Sequence, residues 1–327
     1  MQRVQEKPDY TAWAQPVFPG IALIHLSAHG KAACLEEAAP VSADVLEIFH
    51  CREGRMELNI GGEYCYVSPG DLLIARARKI ASEVCFPLRH YHGLIVRVDV
   101  QQTPHCLSCI LQDVNVQPQL IAKRFCSRRE HFIVRSNPSF EHIFSEMYAI
   151  PDAIKEGFAK IKVLELMLFL SVFDTQEAEW SRLSLPPSQV HLAKSVASYQ
   201  LDHMGERYTL NQVAKEFGVS CTCIKNSFKA VYGVSFYAFI KARKMESAAY
   251  MLEHTDKPVV EIAGEHGYDN SSKFASAFRS VKGVSPGTYR QQNQKKLSSV
   301  KNARLCLGSF RIQSGDRRDM KKYGLTF

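Results

Sequence analysis

The chain has no long hydrophobic run. Its longest apolar stretch, VLELMLFLSVF from Val163 to Phe173, is interrupted by Glu165, whereas a bilayer-spanning helix needs roughly 20 consecutive apolar residues. A helix buried in protein is expected there, and no membrane partner. The first residues, MQRVQEKPDYTAWAQP, lack the apolar core of a signal peptide, so the expected location is cytoplasmic. Also missing are a P-loop, a dinucleotide-binding glycine fingerprint and a Ser-His-Asp arrangement. The expectation is therefore no enzyme, no catalytic residue and no cofactor.

Cysteine is present but unorganised: ten residues, irregularly scattered, do not make a disulfide framework and suit a reducing compartment. Only Cys106 and Cys109 form a CxxC, behind His105. It lacks the second ligand pair that a zinc site needs. His50, His90 and His92 raise a metal hypothesis, because barrel dioxygenases use two histidines and a carboxylate. In RHYHGLIVRVD, however, Val96 and Arg97 stand where the carboxylate is needed, and no metal is expected.

What is there is an ordinary globular composition, 46% hydrophobic and 23% charged over 327 residues, long enough for two domains. The net charge of +8 is unevenly placed: residues 1–187 carry −3, residues 188–294 carry +4 and residues 295–327 carry +7. A polyanionic partner is thus expected for the later segments alone.

From Ile21 to about Val100, apolar and polar residues alternate between turns at Arg52-Glu53-Gly54, Gly61-Gly62 and Pro69-Gly70-Asp71. That pattern suits a small β barrel or sandwich. Between Ser139 and Asp174 the period becomes helical, with a break at Pro151, giving a helix pair. The second of these helices is apolar over more of its circumference than packing on one sheet requires. A homodimer interface and simple burial are both open for the surplus. The stretch TQEAEWSRLSLPPSQ, Thr175 to Gln189, reads as a linker in which Pro186 and Pro187 end any helix.

Two segments further on repeat one another. VAKEFGVSCTCIKNSFKAVYGVS starts at Val213, and IAGEHGYDNSSKFASAFRSVKGVS starts at Ile262. Ala214 matches Ala263 and Gly218 matches Gly267 at an offset of 49; Phe228 matches Phe278 and Gly233 matches Gly283 at an offset of 50. One residue has been added in the turn. Each copy reads as a helix-turn-helix: a short helix, a glycine turn, and a second helix capped in the first copy by Ser220. Ile224 and Phe228, or Phe274 and Phe278, hold that second helix to its own domain. Its outer side chains are short, polar or basic, which lets the backbone approach base edges in a major groove. The connection from Ser235 to Thr255 has no helix breaker and is expected to be one helix of about 20 residues, on the order of 30 Å. It would set the two recognition helices about one duplex turn apart.

The residues Ile262, Ala263, Gly267 and Tyr268, then Ser272, Phe274, Phe278 and Arg279, then Gly283, Pro286, Tyr289 and Arg290 resemble the AraC/XylS family of bacterial transcription regulators. The resemblance covers roughly residues 190 to 291. It implies an α+β protein: an N-terminal cupin-like β-barrel with a helix pair, then an all-α domain of two helix-turn-helix units joined by a long helix. The division expected is an arm over 1–20, an effector or dimerisation domain over 21–174, a linker over 175–189, a DNA-binding domain over 190–291 and a basic, disordered tail over 292–327. Implied partners are double-stranded promoter DNA, RNA polymerase, a small-molecule effector whose contacts are unknown, and a second copy of the chain. Activation is the commoner role in such a family.

For base readout the candidates are Thr222, Cys223, Lys225 and Asn226 in the first copy and Ser271, Ser272, Lys273, Ser276 and Arg279 in the second. Lys273 and Ser276 depart from the family pattern, which often has a Tyr and an Arg or Lys in this helix. Lys229, Lys282 and Arg290 are expected on phosphates, where they supply affinity and salt dependence. Structural roles fall to Ala214, Gly218, Ile224, Phe228, Ile262, Ala263, Gly267, Phe274, Phe278 and Pro286. Two other functions compete: a cupin-type metalloenzyme with an accessory DNA-binding domain, and a constitutive regulator whose barrel only dimerises.

Overall fold

The computed structural model describes residues 2–7, 10–34, 44–81, 83–104, 107, 116–127, 129–175, 184–206 and 208–293. The CxxC thiols, most of the expected linker and the tail beyond residue 293 lie outside these. The chain divides into two compact units, Met1–Ser198 with Leu210–Phe236 and Tyr199–Thr209 with Tyr237–Phe327. Among the described residues no helix is long and apolar enough to cross a membrane.

In the first unit the strands are β1 (Gln2–Lys7), β2 (Tyr10–Phe18), β3 (Ile21–Ala28), β4 (Ala32–Cys34), β5 (Val45–Gly54), β6 (Met56–Ile60), β7 (Glu63–Val67), β8 (Leu72–Arg76), β9 (Glu83–Cys85), β10 (Tyr91–Asp99), β11 (His131–Val134) and β12 (Ser184–Leu185). They form a seven-stranded sheet, β1-β2-β3-β10-β5-β8-β11, and a five-stranded sheet, β12-β7-β6-β9-β4. The expected closed barrel is not found among the described residues. The strands make two layers instead, and large side chains from both, including Phe49, Met56, Leu58, Phe86 and Tyr91, fill the space between them. The segment expected as a separate arm supplies β1 and β2, with β2 paired to β3 along its length.

The central strands of the larger sheet read as nearly continuous apolar runs because both of their faces are covered. Along β5, Leu46 and Ile48 join the core on the helix side, while Phe49 and Cys51 join the core between the sheets. The same alternation runs through Leu72 and Ile74 against Leu73 and Ala75 in β8. Each large apolar side chain so buried contributes roughly 1.5–3 kcal/mol.

Three helices cover the outer face: α1 (Pro118–Cys126), α2 (Pro138–Tyr148) and α3 (Lys155–Val172). The expected helix pair is α2 and α3. Pro138 opens α2, where its missing N–H costs nothing, and the Asn137 side chain accepts from the Ser139 and Phe140 amides. In α3, Val163, Leu166, Met167 and Leu170 are buried, whereas Ile161, Phe169 and Val172 are exposed on the other side. The apolar surplus seen in the sequence is therefore at the surface.

The helices that follow are α4 (Pro187–Asp202), α5 (Leu210–Glu216), α6 (Cys221–Tyr232), α7 (Phe236–His254), α8 (Val259–Glu265) and α9 (Ser271–Lys282). Residues 286–293 are helical as well. Pro187, expected to end a helix, begins α4. Proline is tolerated in a helix's first turn, where the amide would have no intrahelical acceptor.

Candidate nucleic-acid interface

The repeat seen in the sequence is a repeat in three dimensions. Helices α5 and α8 each have 7 residues, and α6 and α9 each have 12. The starts of α5 and α8 are 49 residues apart and those of α6 and α9 are 50 apart, which puts the additional residue in the turn, as the offsets require.

Both long helices are bounded by the same devices. Ser220 Oγ accepts from the Cys223 amide at 3.1 Å at the start of α6. At the start of α9, Asn270 Oδ1 accepts from the Ser272 and Lys273 amides at 2.8 and 3.2 Å. Each such cap contributes about 1 kcal/mol. At the other ends Gly233 and Gly283 are left-handed, with φ of 73° and 79°, and their amides donate to the Lys229 and Arg279 carbonyls. A side chain at either glycine would be strained.

Between those bounds the two faces separate cleanly. Ile224, Ser227 and Phe228 are buried in α6, and Phe274 and Phe278 are buried in α9. In the second unit these two rings pack with Ile262, Ala263, Leu252 and Met245, and Tyr289 meets Phe278 edge-on at 5.4 Å between centroids. Of the structural candidates, Ala214, Ile224, Phe228, Ile262, Ala263, Phe274, Phe278 and Pro286 are buried; Gly218 and Gly267 are left-handed turn residues.

Thr222, Cys223, Lys225, Asn226 and Lys229 share the exposed side of α6. On α9 the exposed residues include Ser271, Ser272, Lys273, Ser276 and Arg279, with Lys282 half-buried. All nine base-readout candidates thus stand on solvent-facing surface, within one set for each helix. Lys229 also donates to the Gly233 carbonyl at 3.0 Å. Arg290 is placed differently: its half-buried guanidinium donates to the Leu252 and Lys257 carbonyls, at 3.4 and 2.6 Å. It supports the end of α7, which the phosphate expectation did not anticipate.

A further feature of the first unit was not legible in the sequence. Arg55, in the turn between β5 and β6 and only 8% exposed, donates from Nε to the Val231 carbonyl at 2.8 Å and from Nη2 to the Ala230 carbonyl at 2.5 Å. These carbonyls belong to the last turn of α6, which has no intrahelical donors for them. A guanidinium there also opposes the negative end of the helix dipole. Nη1 donates to Ser68 Oγ, and the guanidinium lies over the Tyr66 ring at 5.1 Å. Burial pushes the Arg55 pKa down to about 10, which leaves it charged at neutral pH. Nearby, Lys194 of α4 meets Glu57 at 2.5 Å, and Tyr66 donates to the same carboxylate at 2.6 Å. The only trace of this in the sequence is a second arginine in CREGRM, which a turn would ordinarily expose.

The three histidines of the metal hypothesis are dispersed in role. His50 stacks on Phe144 at 4.2 Å, His92 Nδ1 meets Ser27 Oγ at 3.0 Å, and His90 is exposed. Among the described residues no group of three His, Cys, Asp or Glu is placed to hold a metal.

Comparison with known proteins places the second half in context. Residues 213–292 match a family model described as a helix-turn-helix domain. The HTH-type transcriptional regulator ExsA of Pseudomonas aeruginosa is 30% identical over 128 residues, 39% of this chain and 46% of that protein. The Right origin-binding protein of Escherichia coli is 29% identical over 108 residues, 33% of this chain and 37% of that protein. Among solved structures, the C-terminal domain of AraT, a response regulator from Geobacillus stearothermophilus, is 33% identical, covering 33% of this chain and 87% of that one with a TM-score of 0.31. The chain thus spans less than half the length of these curated relatives. Over its C-terminal part the chain belongs to the AraC/XylS family.

Proposed function

We propose that this chain is a sequence-specific, double-stranded-DNA-binding transcriptional regulator, with α6 and α9 as its recognition helices and the sheet-rich region as a cupin-like sensor of a small molecule. One observation carries the reading: two helix pairs of equal lengths, each with a buried aromatic face and an exposed face of short polar and basic side chains. Slim outer faces suit close approach to base edges, and the net charge of +4 over residues 188–294 suits the phosphate backbone. Thr222, Cys223, Lys225 and Asn226 on α6, and Ser271, Ser272, Lys273, Ser276 and Arg279 on α9, are the proposed base contacts; Lys229 and Lys282 are the proposed phosphate contacts. Arg290 is assigned instead to structural support.

Activation through RNA polymerase and action in the cytoplasm complete the proposal, with residues 190–291 as the DNA-binding domain and 21–174 as the effector domain. The exposed Ile161, Phe169 and Val172 of α3 favour a homodimer, which sedimentation of the wild-type chain against an Ile161→Lys, Val172→Glu variant tests. Selection of bound fragments from genomic DNA, followed by mobility shift against excess unrelated DNA, tests the central claim. A selected fragment should outcompete unrelated DNA; equal competition by both would remove the assignment.

A further inference from the structure

On the helix side of the larger sheet, at the end of β5, a cavity of about 310 Å³ opens between that strand, the turn after β7 and α2. That volume is at the low end of the range for small-molecule sites, about 300–1,000 Å³. The core between the sheets is filled by side chains, so this cavity is not the interior of a barrel. Its lining includes His50, Arg52, Gly70, Glu141, Ser145 and Tyr148.

His50 is 5% exposed and fixed from two sides. Its ring is parallel to Phe144, with an interplanar angle of 3°, and its Nδ1 is 3.2 Å from the Tyr148 hydroxyl. Nε2 is buried and has no hydrogen-bond partner. In one neutral tautomer this leaves a bare lone pair and in the other a bare N–H, enclosed by the protein.

Two opposite charges face the same space. Arg52 lies over the Tyr148 ring at 5.0 Å and its guanidinium is half exposed, with Glu53 at 3.7 Å as its ion pair. Glu141, in the first turn of α2, accepts from Ser136 Oγ at 3.3 Å. No ion pair joins Arg52 to Glu141 among the described residues. Gly70, with φ of +82°, lies against Glu141; a Cβ there would meet the carboxylate.

We propose that this cavity binds a small zwitterion of the free amino-acid type, its carboxylate on Arg52 and its ammonium on Glu141. A cation and an anion held apart across one small space complement a ligand carrying both charges. The site is wired to the first recognition helix by the turn from Ser68 to Asp71. Gly70 donates to the Cys51 carbonyl at 2.9 Å, the Ser68 amide donates to Asp71 Oδ2 at 2.8 Å, and Ser68 Oγ receives Arg55, the residue that caps α6. A ligand bridging Arg52 and Glu141, whose carboxylate lies against Gly70, moves the turn on which Arg55 rests. This inference rests on the reading of the sheet-rich region as a sensor.

The test uses the full-length chain and the standard amino acids, each beside its carboxamide, which lacks the carboxylate, and its N-acetyl form, which lacks the ammonium. At least one free amino acid should raise the melting temperature and change affinity for the selected DNA, and neither blocked form should do so. Arg52→Gln and Glu141→Gln, both at exposed positions, should melt like the parent without ligand and bind that amino acid about tenfold or more weakly. No response to any amino acid overturns the proposal, as does equal binding by the blocked forms or by either variant. The dialysable fraction of a bacterial extract separates the two readings. If it alters DNA affinity equally in parent and both variants, sensing stands and this site falls; if neither it nor any amino acid has an effect, the sensor reading falls too.

Discussion

Replacing Phe278 by Ala and Arg279 by Ala alters neighbouring residues of one helix, and the two faces of α9 make their consequences separable. Phe278 is fully buried, packed 5.9 Å from Phe274 and 5.4 Å from Tyr289 between centroids. Its removal costs the transfer of a phenyl ring and leaves a cavity, together about 3–5 kcal/mol. A small helical unit has on the order of 3–10 kcal/mol in total, so Phe278→Ala should unfold much or all of the second unit near room temperature. Arg279 points to solvent, and Ala suits a helix interior, so Arg279→Ala should change stability by no more than about 0.5 kcal/mol. Its loss should appear in binding: a base contact is worth about 1–3 kcal/mol, roughly 5- to 150-fold in affinity for the selected site. Melting followed by circular dichroism, alongside mobility shift below the transition, measures both. The reasoning fails if Phe278→Ala melts like the parent, or if Arg279→Ala loses affinity only in proportion to lost helix.

Arg55→Met retains a long apolar side chain over Tyr66 but strands the Ala230 and Val231 carbonyls. With each charged hydrogen bond worth about 1.5–3 kcal/mol, offset by the relieved burial of the cation, a net loss of about 2–4 kcal/mol is expected. Hydrogen exchange should quicken at the end of α6 and stay unchanged in α9; equal protection in parent and variant would refute the cap. In footprinting, Lys225→Ala should weaken contacts in one part of the operator and Ser276→Tyr in another, whereas a shared footprint change would contradict two independent readers. For pH, His50 has its pKa lowered to about 4 from an ordinary 6.5 by burial. The unfolded chain therefore takes up a proton near 6.5 that the folded chain accepts only near 4, so stability is lost as pH falls through that window, by at most about 3 kcal/mol. His50→Gln should flatten this part of the stability profile relative to the parent; parallel profiles would refute it.

The helical half was legible because its instructions are local. Helix starts at Ser220 and stops at Gly233 and Gly283 are set by capping and left-handed turns, and the apolar residues that face inward recur at helical spacing. The offset of one residue between copies, read from Ala214, Ala263, Phe228 and Phe278, places the longer turn where the helix starts also place it. The sheet half was legible only as strands. Alternation says which residues share a face, but not whether the edges meet, and the two open layers replaced the expected barrel. Pro187 was misread because proline's effect depends on its place in the helix: it breaks an interior and suits a first turn. Arg55 and Arg290 were beyond sequence reasoning for a different reason. Each acts on backbone carbonyls far along the chain, and carbonyls carry no residue identity from which a partner could be guessed.

Those two arginines also distinguish copies that otherwise match in length, capping and core. In the second unit Arg290 lies just after α9 and supports the end of α7, so the half-buried cation belongs to the same local helical assembly. In the first unit the cation comes from Arg55, 176 residues before the Val231 carbonyl it serves. The last turn of α6 is therefore completed by the sheet region, through a side chain that rests on Ser68, beside the Pro69-Gly70 turn that walls the cavity. A displacement of a few tenths of an ångström at Ser68 lengthens a charge-assisted bond with no water ready to replace it, because Arg55 is buried. A perturbation of the sheet region should thus register in α6 before it registers in α9, giving two similar recognition helices unequal sensitivity to the same event.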